Sequence, residues 1–257
     1  MVKYDDNRKR TADYLKNFNR ERILTSLVRA ADPVVFDVGS NTGTSLDEFK
    51  QLWPTSFVHC FEPQEECYAE LKKRAGPYDR VVTRRCAVGN VPCDGKDFYT
   101  HAISSGIAGF HKVNFESRDS IHLERLVSAG SEADLMAYRE SMNHRRQVRV
   151  LRLDDYMLES GAVTVDLLKI DTQGYEPEVL EGVGERLTDV GVVLTELMFY
   201  DYYERKLSFS DIERYLLPAG FSLYDISYIS KNPMNGRTDW VDVVYVNDHK
   251  YPEASHV

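Results

Sequence analysis

The chain has no C-x-x-C pair among its 4 cysteines, Cys60, Cys67, Cys86 and Cys93. Neither a zinc knuckle nor a disulfide framework is written into it, and reduced thiols in a cytoplasmic protein are the expectation. No apolar run approaches the ~18 residues of a membrane span; the best, Val190 to Tyr200, is broken by Glu196. Met1 to Asp6 has no apolar stretch behind its charges, so no signal peptide is expected. Basic charge is also short. With 32 Lys and Arg against 41 Asp and Glu, the formal net charge is −9, and counterion-release binding to nucleic acid is not expected unless through a local patch. Only 15 Gly and 9 Pro occur in 257 residues, which excludes a fibrous or low-complexity chain, and 42% hydrophobic residues exclude wholesale disorder.

What is present alternates. Thr11 to Ala30 spaces Tyr14, Leu15, Phe18, Ile23, Leu24, Leu27 and Val28 as an N-terminal helix within residues 1–31. Val34-Val35-Phe36 follows without polar alternation, the pattern of a strand buried on both faces. Glycines at 39 and 43 end it, and Thr44 to Trp53 reads as a helix. Strands are expected at Ser56 to Phe61, Arg80 to Val88, Val165 to Ile170, Val190 to Leu197, Phe221 to Ile226 and Trp240 to Val246. Helices are expected at Glu65 to Ala75, after Pro177, and at Ser210 to Ala219. Such alternation predicts one domain over 1–257, an open, mainly parallel, doubly wound α/β sheet. Residues 104–147 do not fit. Long, polar and charged, with helical fragments at Ile121 to Val127 and Glu132 to Met142, they read as a helical insertion over the site, or as the arm of a homodimer.

In an open sheet of this kind ligands bind beyond the carboxyl ends of the strands. The first strand ends in Asp37-Val38-Gly39-Ser40-Asn41-Thr42-Gly43 and the second in Phe61-Glu62-Pro63. Glu62 is placed to accept both hydroxyls of a ribose. A dinucleotide is disfavoured, because Gly39-x-Asn41-x-Gly43 is not G-x-G-x-x-G and Asp37 sets a carboxylate beside the turn that would cradle a diphosphate. S-adenosylmethionine, with a sulfonium, an ammonium and a ribose diol but no phosphate, suits an acidic turn.

These two segments resemble the first motifs of class I S-adenosylmethionine-dependent methyltransferases. A third block runs through Leu151-Arg152-Leu153-Asp154-Asp155-Tyr156, Val165 to Glu176 (with Lys169-Ile170-Asp171-Thr172-Gln173-Gly174-Tyr175-Glu176) and Val179-Leu180-Glu181-Gly182. It resembles the signature of the FkbM family. The resemblance implies a Rossmann-like seven-stranded sheet whose last strand is antiparallel, and O-methylation of a hydroxyl on a sugar, glycan or natural product. It also implies that Asp37, Gly39, Ser40, Asn41, Thr42 and Gly43 surround the methionine part of the cofactor. Glu62 and Pro63 would stand at the ribose, Ala87 at the adenine, and Asp171 between cofactor and acceptor.

Transfer to a hydroxyl needs a base, and Asp171 is the first candidate. Glu196 ends the next strand and should face the same crevice. The two carboxylates share the work or together hold a divalent cation such as Mg²⁺, although no third oxygen ligand is evident. Gln173, Glu176, Tyr200, Tyr202 and His101 are candidates for acceptor contacts. Glu176 also suits a helix start, and Lys169 a structural ion pair with Asp171. Two other readings are a nucleotide-sugar oxidoreductase or epimerase, and a scaffold without catalysis. The first needs a phosphate-binding glycine turn and a Tyr-x-x-x-Lys pair in context. Converging acids around a glycine turn speak against the second.

Overall fold

The computed structural model describes residues 7–102, 104–117, 131–233 and 235–251. Helices α1 (Asn7–Asn17) and α2 (Arg20–Leu27) lead into β1 (Val34–Val38), α3 (Thr44–Leu52), β2 (Phe57–Phe61), α4 (Glu65–Ala75) and β3 (Val81–Arg84). Next come β4 (Ala87–Val88), β5 (Cys93–Thr100), a 3₁₀ turn at Ser105–Ile107, α5 (Glu132–Glu140), β6 (His144–Leu151) and α6 (Leu153–Ser160). The chain continues through β7 (Val165–Ile170), α7 (Glu176–Val183), a 3₁₀ turn at Gly184–Asp189, β8 (Val190–Met198), α8 (Phe209–Leu216), β9 (Phe221–Lys231) and β10 (Thr238–Asn247).

Seven strands form one sheet in the order β3-β2-β1-β7-β8-β10-β9. It is parallel except for β10, the last strand, which runs antiparallel to both β8 and β9. This is the Rossmann-like doubly wound seven-stranded sheet, with its last strand antiparallel, that the resemblance implies. Strand alternation sends side chains to two cores. Val35, Val58, Leu167 and Val192 meet Leu24 of α2, Leu46 and Phe49 of α3, and Leu71 of α4. Phe36, Phe61, Leu168 and Val193 meet Leu153 and Met157 of α6, Val179 and Leu180 of α7, and Ile212 and Leu216 of α8. Both faces of the sheet are therefore covered, which is why its central strands read as unbroken apolar runs.

The structure corrects several boundaries. The helix expected over Thr11 to Ala30 is two, because Asn19 stops the first and caps the second, its side chain accepting from the Arg22 N–H. The strand expected over Arg80 to Val88 divides: β3 stays beside β2, while β4 leaves to pair with β6. β4, β6 and β5 form a second, three-stranded sheet, with β5 antiparallel to β6. Residues 104–147 are thus not simply a helical insertion. Their last four residues open β6, and the described helix is α5. The fragment expected at Ile121 to Val127 lies outside the described residues. Among the described residues no helix is long and apolar enough to cross a membrane.

The second sheet packs Ala87, Phe98, Ala108, Val148 and Val150 into a small core of its own. A further cluster of Val113, Tyr138, Met142, Met198, Tyr202 and Tyr203 sits at the end of β8. There residues 112–114 meet 202–204, with the Asn114 N–H donating to the Tyr202 carbonyl at 2.8 Å and the Glu204 N–H to the Lys112 carbonyl at 3.0 Å. These two clusters carry the Ser105–Ile107 turn over the carboxyl ends of β1, β2 and β7.

Candidate active site

A cavity of about 550 Å³, counted to its open mouth, lies over those strand ends. Its polar wall holds Asn41, Glu62, Gln64 and Asp171; its apolar end holds Phe61, Ala87, Phe98 and Phe110. An adjoining crevice shares Gly39, Asn41, Ser105, Gly106 and Asp171 with it and adds Ser40, Thr42 and Arg20.

Gly39 sets the floor. Its φ is +78°, and a Cβ there would stand 1.9 Å from the carbonyl oxygen of Asp171. The glycine thus lets two adjacent strand ends close on one another, with the Asp171 N–H donating to the Val38 carbonyl at 3.0 Å. The Gly39 and Ser40 N–H groups both donate to the Phe61 carbonyl, at 3.0 and 3.1 Å. Gly43, also at positive φ, precedes α3; a Cβ on it would press on Leu71 and Arg74 of α4.

Asp37 is not on the cavity wall. It is fully buried, and its carboxylate accepts from the Ser45 hydroxyl at 2.6 Å and faces the Lys169 ammonium at 3.3 Å. The sheet register explains this: Asp37 of β1 lies directly beside Lys169 of β7, and opposite charges at paired positions meet across a sheet. Lys169 also reaches Asp171 at 3.4 Å and donates to the Gly39 carbonyl at 3.0 Å. Burial alone would lower the lysine, but Asp37 and Asp171 outweigh it and hold the ammonium charged, above its ordinary range. The negative charge expected at the turn is therefore answered within the protein, and the acids facing the cavity are Glu62 and Asp171.

Glu62 is buried at the end of β2. One carboxylate oxygen accepts from the Asn41 N–H at 2.9 Å and the other from the Gln64 N–H at 2.8 Å. Burial raises it to about 7 against those two donors. Pro63 and Ala87 line the same cavity, as expected.

Asp171, Gln173, Glu196 and Tyr203 form one chain. The Gln173 amide nitrogen donates to Asp171 Oδ1 at 2.9 Å and stands 3.4 Å from Glu196 Oε1. Its oxygen lies 2.9 Å from the Tyr203 hydroxyl, which is also 2.9 Å from the Ile107 carbonyl. Gln173 makes this bridge from a left-handed backbone, φ +55°. Burial first, then the charges of Asp171, Glu176 and Asp242, raise Glu196 to about 9. Its surroundings thus favour the protonated form of Glu196.

Three expected acceptor contacts are placed elsewhere. Glu176 is buried and turned back, accepting from the Thr172 N–H at 2.9 Å, the Thr172 hydroxyl at 3.0 Å and the Gly174 N–H at 3.3 Å; it shapes the loop before α7. Burial lifts it to about 7. His101 is buried too, its Nδ1 accepting from the Asn143 N–H at 3.1 Å, and burial lowers it to about 4. Tyr202 is packed in the cluster at the end of β8. Tyr200 stacks obliquely on it, ring centres 5.9 Å apart. The residue that sequence reasoning passed over is Tyr203, although it stands in the same Tyr200-x-Tyr202-Tyr203 run. Among the described residues no group of three or more His, Cys, Asp or Glu side chains is placed to hold a metal ion.

Comparison with known proteins gives the family. The chain is 29% identical over 198 residues to the 2-O-methyltransferase NoeI of Sinorhizobium fredii, covering 72% of each. It is 31% identical over 156 residues to the 31-O-demethyl-FK506 methyltransferase FkbM of Streptomyces tacrolimicus, covering 58% of this chain and 59% of that one. The solved structure of an FkbM methyltransferase from Methylobacillus flagellatus matches 84% of this chain and 44% of its own at 14% identity, with a TM-score of 0.49. The family model of the methyltransferase FkbM domain matches residues 37–223, the stretch that carries the glycine turn, Glu62, Asp171, Gln173 and Glu196. The chain belongs to the FkbM methyltransferase family.

Proposed function

We propose that this chain is an S-adenosylmethionine-dependent O-methyltransferase whose acceptor is a hydroxyl of a sugar, glycan or natural product. The observation that carries the reading is the make-up of the cavity: Glu62 and Asp171 line it, among the described residues no lysine, arginine or histidine does, one end is aromatic, and the basic groups Arg20 and Lys169 belong to the adjoining crevice. Such a wall repels a diphosphate and suits a ligand with a cation, a diol and a flat ring. The two relatives named as O-methyltransferases support the choice of oxygen as the methylated atom.

The residues present fit this cofactor. Glu62 would hold the ribose hydroxyls, the Gly39–Gly43 turn the amino-acid part, and Ala87 with Phe98 and Phe110 the base. When bound, the cofactor's sulfonium supplies an already activated methyl group. The protein's own task is then to align an oxygen, exclude water and take up a proton. Asp171 takes that proton: it lines both the cavity and the adjoining crevice. Gln173 aims its carboxylate, and Lys169 pairs with it at 3.4 Å. Glu196, already protonated, positions Gln173. The aromatic run after β8 and the Ser105–Ile107 turn close the site, within one methyltransferase domain.

Calorimetry tests the reading. S-adenosylhomocysteine should bind in the micromolar range and NAD not at all. Binding of NAD, or of neither ligand, would sink it.

A further inference from the structure

Ala87 and Val88 line the cofactor cavity, but the residue before them, Cys86, lines a second crevice of about 950 Å³, counted to its open mouth. Its walls carry four arginines. Arg84 ends β3, Arg85 follows it, Arg149 lies on β6 and Arg152 precedes α6; the acids on the same wall are Asp155 and Glu159. In a chain of net charge −9 this is a local surplus of the opposite sign.

The four arginines are not held alike. Arg152 is fixed structurally, forked onto Asp154 at 2.5 and 3.0 Å and donating to the Asn90 carbonyl at 2.7 Å. The other three lean on exposed carboxylates: Arg84 on Glu159 at 3.1 Å, Arg85 on Glu65 at 3.4 Å and Arg149 on Asp94 at 3.8 Å. Those carboxylates are 66%, 79% and 100% exposed. Exposed pairs of this kind hold weakly and are easily exchanged for a better anion. Arg84 is also pre-oriented. Its guanidinium stands 5.4 Å over the ring of Tyr156, whose hydroxyl is held by buried His59 at 2.7 Å. Guanidinium forks match phosphate oxygens two at a time, and here they come from two separate strands onto one concavity.

We infer that this crevice is a binding site for a diphosphate, free or esterified, distinct from the cofactor cavity. A diphosphate, with two linked phosphoryl groups, offers oxygens to more than one guanidinium and would displace Glu159 and Asp94, whereas a lone carboxylate serves one.

Titration of the full chain at low ionic strength with inorganic pyrophosphate and with uridine diphosphate tests this. Both should give saturable heat, undiminished by saturating S-adenosylhomocysteine, and weakened by added salt. Tighter binding of the nucleotide would show that an ester partner adds contacts; equal binding, that the diphosphate suffices. Arg84→Gln and Arg149→Gln should each weaken pyrophosphate at least ~10-fold, the loss of a charge-assisted contact, while S-adenosylhomocysteine affinity stays unchanged. Arg149 is exposed, so its variant carries the test if loss of Arg84 disturbs Tyr156. The inference fails if pyrophosphate gives no saturable heat, if both variants bind it as the parent does, or if S-adenosylhomocysteine displaces it. Displacement of pyrophosphate by a single-stranded oligonucleotide at lower concentration would also overturn it, making the arginines a nucleic-acid surface.

Discussion

Two walls of the active site are built by different means. The wall from β1 and β2 is fixed by backbone: Gly39 and Ser40 donate to Phe61, and Gly39 has no Cβ because the Asp171 carbonyl fills that space. The wall from β7 and β8 is fixed by side chains, through Asp171, Gln173, Glu196 and Tyr203, and ends on the carbonyl of Ile107 in the overlying turn. A backbone-built wall admits one residue type at its critical point and fails abruptly. A side-chain-built wall can lose a member and degrade by steps.

The most damaging change should therefore be Gly39→Ala. It forces a left-handed conformation on alanine and sets its methyl 1.9 Å from a neighbouring strand's oxygen, so β1 and β7 must part. A loss of more than ~4 kcal/mol is expected, in the range reserved for backbone and core disruption. Chemical denaturation would measure it. A fully stable variant would show that the strand ends separate freely and that the contrast between the walls is false.

Tyr203→Phe tests the other wall. The hydroxyl is buried between two acceptors and holds one proton for both. Its removal leaves Ile107 and Gln173 without that donor, a cost of about 1–3 kcal/mol. The fold should survive, since the main-chain bonds between 112–114 and 202–204 remain. Unfolding of the variant during purification would move this wall into the first class.

Glu196 sharpens the comparison by pH. Its carboxyl is raised to about 9 in the folded chain, against 4.5 ordinarily. The folded state thus retains a proton that the unfolded state has released, and stability falls as pH rises from about 4.5 to 9. Glu196→Gln removes that proton linkage. Between pH 6 and pH 9 the variant should lose less stability than the parent, by at least the ~1.4 kcal/mol of one pKa unit, or a few degrees in Tm. Parallel melting curves at both pH values would refute the burial argument.

The same division decides what was legible in the sequence. Val165–Ile170 and Glu65–Ala75 read at their observed bounds, because a doubly buried strand and an amphipathic helix leave local patterns. Strands β5 and β6 did not. Cys93–Thr100 and His144–Leu151 are charge-rich, with one face exposed, and only Val148 and Val150 of β6 betray an inner face. Asp37 shows the limit more sharply. Its sequence position gives the strand and the turn beside it, but its partner depends on the register that sets it against Lys169, 132 residues away. Gly39 was legible as a residue that ends the first strand. That the carbonyl of Asp171 fills the place of its Cβ is a fact of the assembled sheet.

The smallest expected effect lies at the seam between the walls. Ser105, in the turn that overlies the site, donates to Asn41 Oδ1 at 3.1 Å, while its carbonyl accepts from the Gln64 amide at 3.1 Å. Ser105→Ala removes the first bond and the hydroxyl's contact with Cys67 but keeps the second, which belongs to the main chain. Asn41 keeps its own N–H on Glu62, so that carboxylate stays oriented. The loss should be about 0.5–1.5 kcal/mol, that of one partly exposed hydrogen bond, read as S-adenosylhomocysteine binding weakened ~2- to 10-fold with Tm nearly unchanged. A far larger loss of affinity would mean that the glycine turn borrows its shape from the overlying layer, and that the two walls are one structure.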